Sequence, residues 1–434
     1  MTRLLDAPLL SGPLPWVVGV AGTVGGLFLL ARRSKRWWFV VVPIVLCAAA
    51  AVTALLAYLV DEVWRPFPDP VPLSVLLAVG AGLAGVGLGV AGMWGRRWWG
   101  RLTGLVAVVL VVLAAAQGVN GVYREYPTLR TALGLPAVDE IPFTAIPLRE
   151  QVIGARSGLP LSAVWRPPAG MPALGAVTQV TIPGRVSGFA ARPAWLYLPP
   201  AYLSRPRAQL PVLVLMSGQP GTPRDWLDGG QLAARMDSFA ATHDGLAPVV
   251  VMVDQLGSPL SNPLCVDSPR GNAFTYLSVD VPAWIRRTLQ VAPERSAWAI
   301  GGFSAGGTCA LQMAVNAPDV YPTFVDVSGE AEPTVRDHAA TVQAVFGGDE
   351  AAFAAVNPLD VLRTTRFPGS AGFLVAGRQD RQYLPQAQRV EAACKASGMD
   401  VQMDVRPGGH SFEVWGPGLE DALPWLAKRL GMTP

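Results

Sequence analysis

Hydrophobic and polar positions divide this chain into two regimes. Residues 13–31, 37–60, 71–94 and 102–123 carry no charged side chain. Each run is long enough for a helix, rising about 1.5 Å per residue, to cross a hydrocarbon core of about 30 Å. Four such runs in succession predict a four-span transmembrane region over residues 1–123. Residues 124–174 are rich in proline and glycine, lack a clear period and read as a linker that packs in part on the following domain. From 175 to 434 the pattern changes again. Apolar strand-like runs fall at 177–182, 194–198, 211–216, 248–254, 297–303, 323–327, 372–376 and 401–405. Helical patterns lie between them at 231–241, 279–289, 386–396 and 419–430. Continuous apolar strands alternating with helices predict an α/β domain, a doubly wound and mostly parallel sheet covered on both faces.

Charge orients the spans. Arg32, Arg33, Lys35 and Arg36 separate the first two, and Arg96, Arg97 and Arg101 separate the last two, whereas the middle loop begins Asp61-Glu62-Val63-Trp64-Arg65-Pro66. Basic loops stay in the cytoplasm, so both termini and the α/β domain are expected outside a cell membrane crossed several times. Trp16, Trp37, Trp38, Trp94, Trp98 and Trp99 sit at span ends, where indole favours the interface. Gly22 with Gly26 and Gly85 with Gly89 have the spacing of close helix contacts. No span carries an ionisable residue in its interior, which argues against an ion or proton pathway and for an anchor. The formal charge of +3 lies largely in the two basic loops and is no nucleic-acid signal. No zinc, P-loop or dinucleotide motif occurs, so no metal or cofactor is expected.

One stretch carries chemistry. Gly302-Phe303-Ser304-Ala305-Gly306 spells G-x-S-x-G between an apolar run and helix-forming residues. The pattern is weak alone in a chain with 46 glycines. Its strand-before, helix-after context is that of a nucleophile elbow, where a serine on a strained turn needs small neighbours. Of the three histidines, His243 lies in a polar turn and His338 in a surface helix. His410, in Gly408-Gly409-His410-Ser411, directly follows the last strand, where loops of a doubly wound sheet converge. It is the candidate base. Asp380, just past the 372–376 strand, is the candidate orienting acid, with Asp326 and Asp404 as rivals inside strands. The order Ser304, Asp380, His410 is that of α/β-hydrolases. An oxyanion hole would take the amide of Ala305 and that of Gln219, in the loop 217–221, since Pro220 has no N–H. Cys265 with Cys309 is the preferred disulfide pair, with a buried free Cys309 as the alternative.

These residues resemble the esterases of the esterase-D type, a family of α/β-hydrolases that includes S-formylglutathione hydrolases, enterobactin-type esterases and mycolyltransferase antigens. The resemblance covers about residues 194–430. It rests on the strand ending Leu198-Pro199-Pro200-Ala201-Tyr202, the Ser217-Gly218-Gln219 loop, the elbow, and Gly409-His410-Ser411. It implies a serine esterase or acyltransferase with Ser304, Asp380 and His410 as triad. Two departures stand out. Many relatives carry His-Gly or Asp-Gly where this chain has Ser217-Gly218, and the mycolyltransferases use glutamate as the acid. The expectation is a membrane-anchored, extracytoplasmic esterase acting on lipid or envelope-glycolipid esters. Acyl transfer, or non-catalytic binding of lipid or a partner, are the alternatives.

Overall fold

The computed structural model describes residues 2–65, 69–94, 97–147, 149–156 and 158–434. Pro66 and Arg96, expected to flank the spans, lie outside the described residues. The chain forms two compact units, Met1–Leu135 and Pro136–Pro434.

In the first unit, α1 (Pro13–Leu30), α2 (Trp37–Trp64), α3 (Leu73–Met93) and α4 (Trp98–Tyr123) are each long and apolar enough to cross a membrane. Helix α2 runs beyond its uncharged stretch to include Asp61 and Glu62, and α4 holds Arg101 in its first turn. Side chains such as Val20, Leu27, Ile44, Leu77 and Leu105 stand exposed on the helices. So large an apolar surface is unsuited to water and suited to lipid. Helices α1 and α3 both pack on α4. A Cβ on Gly22 would lie 2.3 Å from the Ala114 Cβ, and one on Gly89 would lie 2.1 Å from a Val108 methyl. Trp16, Trp94, Trp98 and Trp99 are exposed, but Trp37 is buried, with the Arg32 guanidinium over its ring.

The second unit is built on eight strands: β1 (Ala176–Val180), β2 (Ala194–Leu198), β3 (Val212–Met216), β4 (Val249–Val253), β5 (Trp298–Phe303), β6 (Thr323–Val327), β7 (Ala371–Gly377) and β8 (Asp400–Arg406). Their order is β8-β7-β6-β5-β3-β4-β2-β1. Strands β3 to β8 run parallel, while β2 is antiparallel to both β1 and β4. Every residue of β3, β4 and β5 is buried, as expected for parallel strands with both faces covered. The consequence for function is geometric. Six parallel strands end on the same edge, so the loops after β3, β5, β7 and β8 meet there.

Residues 136–174, expected as a linker, contribute Ile146, Leu161 and Trp165 to the core of this unit. The Trp165 indole donates to the Asp244 carbonyl at 2.9 Å. The last helix, Phe412–Arg429, begins seven residues before the 419–430 pattern suggested. Pro417 and two nearby glycines argue against helix by propensity. Burial of Phe412, Val414, Trp415 and Leu419 holds this segment in place, and Ser411 caps it by accepting from the Glu413 N–H.

Candidate active site

Strand β5 delivers Ser304 to the carboxyl edge. Its N–H donates to the Val327 carbonyl at the end of β6 at 2.9 Å. The chain then reverses into the helix α5 (Ala305–Asn316) with Ser304 at φ 54° and ψ −124°. That conformation is strained for a residue with a side chain. The flanking glycines follow from packing. A Cβ on Gly302 would sit 2.3 Å from the Gly306 carbonyl carbon, and one on Gly306 would sit 2.4 Å from the Met216 oxygen. The same crowding brings the end of β3 and its loop against the serine. A Cβ on Gly218 would lie 3.1 Å from the Ser304 Cβ.

The loops after β7 and β8 are zipped together. Arg378 N–H donates to the Arg406 carbonyl at 2.7 Å and Gln379 N–H to the Gly408 carbonyl at 2.9 Å. The Gln379 side chain accepts from the Gly408 N–H. This pairing sets Asp380 beside His410. His410 Nδ1 is 2.9 Å from Asp380 Oδ2, and His410 Nε2 is 2.9 Å from Ser304 Oγ. Asp380 is almost wholly buried, and its other oxygen accepts from the Tyr383 N–H at 3.0 Å. The carboxylate is therefore held on both sides. With the imidazole proton on Nδ1, Asp380 accepts it, and Nε2 accepts from the serine hydroxyl. Such a chain can draw a proton off the serine as its oxygen attacks a carbonyl.

Sequence reasoning did not find the aromatic clamp around the imidazole. The Tyr383 ring stacks on His410 with centroids 3.9 Å apart, and Trp415 meets it edge-on at 5.1 Å. Trp415 also stacks on Phe303, the residue before Ser304, at 4.4 Å. Only the early start of the Phe412–Arg429 helix places Trp415 here. No motif announces it.

The remaining candidates separate cleanly. Among the described residues the amides of Ala305 and Gln219 have no hydrogen-bond partner, as an oxyanion hole requires. The Gln219 side chain donates to the Leu260 carbonyl at 3.0 Å, joining this loop to the one after β4. Asp326 lies in β6, wholly buried, and accepts from the Gly329 N–H rather than from a histidine. Burial pushes its carboxyl up to about 7. Asp404 is paired within β8 opposite Val375. His338, itself exposed, opens a helix and lies between Glu332 and Glu350, and His243 stacks on Phe239. Cys265 and Cys309 are joined as a disulfide, while Cys394 stays a free, buried thiol. No cluster of ligating side chains that could hold a metal exists among the described residues.

Comparison with known proteins agrees with the fold. Residues 191–426, more than half of the chain, match the family model described as "Putative esterase". An uncharacterized protein of Corynebacterium glutamicum is 37% identical over 387 residues, covering 86% of each chain. That aligned stretch is longer than Pro136–Pro434, so the likeness extends into the helical unit. Among solved structures, a ferulic acid esterase superposes with a TM-score of 0.51 at 20% identity, over 59% of this chain and 98% of its own. An S-formylglutathione hydrolase from Agrobacterium tumefaciens gives 0.50 at 20%, over 60% and 97%.

Proposed function

The chain belongs to this esterase family, and from that membership we propose a membrane-anchored serine esterase whose catalytic unit faces away from the cytoplasm. The observation that carries the proposal is the unbroken chain from Asp380 through His410 to Ser304, two contacts of 2.9 Å each. Ser304 Oγ attacks the ester carbonyl while His410 Nε2 takes its proton. Asp380 stabilises the resulting imidazolium, and the amides of Gln219 and Ala305 receive the oxyanion. Collapse breaks the carbon–oxygen bond to the alcohol, which leaves with the proton from His410. Water, deprotonated by the same imidazole, then releases the acid and frees Ser304.

Three features support the wider reading. The basic loops between α1 and α2 and between α3 and α4 favour the cytoplasm, which supports a catalytic unit on the opposite side. A disulfide beside the nucleophile helix fits an oxidising compartment. An anchor holds the site next to the bilayer, where lipid or glycolipid esters are concentrated. The test is turnover of p-nitrophenyl butyrate by the detergent-solubilised chain, wild type against Ser304→Ala. Hydrolysis that survives in the Ser304→Ala protein would sink the proposal. Added alcohols that divert the acyl group from water would favour acyl transfer on the same machinery.

A further inference from the structure

In the proposed reaction His410 becomes positively charged, and the side chain that faces this charge is Tyr383. Once Ser304 gives up its proton, both ring nitrogens of His410 carry one, and the charge spreads over the imidazolium. Asp380 meets that ring at one edge, through Nδ1 at 2.9 Å. The flat face is covered by the Tyr383 ring, with centroids 3.9 Å apart and planes 20° from parallel. A cation over an aromatic face, within about 6 Å of the centroid, is attracted by the negative π-surface. Neutral imidazole gains far less from the same contact. The stack therefore strengthens as the proton moves, and an interaction that grows towards the transition state lowers the barrier.

The surroundings hold this stack in place. Tyr383 is buried and is the first residue of the helix Tyr383–Ala396. Its own N–H donates to Asp380 Oδ1 at 3.0 Å. One helix start thus holds the acid through its backbone and covers the base through its side chain. On another side Trp415 meets the imidazole at 84°, with centroids 5.1 Å apart, and is itself stacked on Phe303. The imidazole is left little room to tilt away from Tyr383. Burial also keeps water off the stacked face, where a cation–π contact is worth most. Besides Asp380, the segments 376–384 and 406–414 carry the charged residues Arg378, Arg381, Arg406 and Glu413. All of them stay in every variant below.

We infer that Tyr383 is a positioning residue of the proposed triad, its ring face orienting the His410 imidazole and stabilising it while it carries the serine proton. The inference rests on the esterase reading and adds a fourth side chain to the working site.

The test is the pH dependence of kcat/KM for p-nitrophenyl butyrate with the detergent-solubilised full chain. Activity should fall towards acid pH as the base becomes protonated. Tyr383→Leu keeps the N–H to Asp380 and removes the ring. Its acid limb should move to lower pH by about one unit, because the imidazolium has lost its partner. Its kcat on the plateau should fall by about tenfold. A ring that only filled space would act the other way: its loss would admit water, favour the charged imidazole and move the limb to higher pH. Tyr383→Phe, which brings the ring face back, should restore the wild-type limb. Phenylalanines bearing one, two and three fluorines at position 383 keep the shape and weaken the negative π-face, so the limb should step to lower pH along the series. That series removes no volume, so it decides the question even if Tyr383→Leu fails to fold. A limb indifferent to fluorination, or one that stays or rises in folded Tyr383→Leu, would overturn the inference. So would a Tyr383→Phe limb displaced as far as that of Tyr383→Leu. A folded wild type that hydrolyses no ester would instead remove the esterase reading, and this role with it.

Discussion

Asp326 offers a prediction whose sign and size both come from the structure. It is wholly buried in β6 and accepts the Gly329 N–H at 2.8 Å. Loss of solvation dominates, and its carboxyl is pushed from an ordinary 3.8 to about 7. The folded state therefore holds this proton over a range of pH in which the unfolded chain has released it. The stability contributed by this group is greatest below about pH 4, falls as pH rises towards 7 and levels beyond. The full span corresponds to about 4 kcal/mol, of which about 3 kcal/mol falls between pH 5 and 8. Asp326→Asn keeps an acceptor for Gly329 and cannot ionise. Its new amide hydrogens cost something at every pH, but that cost cancels when one pH is compared with another. Thermal unfolding of the solubilised chain, followed by intrinsic fluorescence, should show the melting temperature of Asp326→Asn gaining on wild type by about 6 °C or more from pH 5 to 8. Ester turnover should persist in the same variant. A difference in melting temperature that stays constant or shrinks over that range would refute the reasoning. Loss of turnover in folded Asp326→Asn would move the acid role away from Asp380.

Asp380→Asn should lower kcat on p-nitrophenyl butyrate by about 10⁴-fold with KM little changed, because the imidazole loses the partner that fixes its tautomer. Gly306→Ala places a methyl carbon 2.4 Å from the Met216 oxygen, so the yield of folded, active protein should collapse, read by melting temperature and turnover together. Replacing both Cys265 and Cys309 by alanine removes a cross-link over 44 residues of chain. Chain entropy alone sets the loss at about 4 kcal/mol, which should appear as a lower melting temperature in wild type treated with reductant as well.

The parallel core was legible because each buried strand is a continuous apolar run, and 194–198, 211–216 and 323–327 fall where β2, β3 and β6 stand. The candidate site was legible for the same reason. Ser304 and Asp380 each come just after such a run and His410 after the mixed edge strand β8, and a parallel sheet brings the loops at its strand ends to one edge. The features that escaped the sequence have no period. Leu161 and Trp165 enter the core from a single helical turn, too short for burial to leave a repeating signature. The first turns of the Phe412–Arg429 helix were concealed by Pro417 and its neighbouring glycines, since tertiary burial there outweighs propensity, and the Trp415 contact with His410 went with them.

The proposed esterase chemistry turns on an activated serine at position 304. Labelling the solubilised protein with a fluorophosphonate, and locating the adduct by peptide mass spectrometry, tests it most directly. One adduct is expected, on Ser304, abolished in Ser304→Ala and strongly slowed in a His410→Ala variant. An unlabelled wild type that is folded, or an adduct on any other residue, would contradict the assignment.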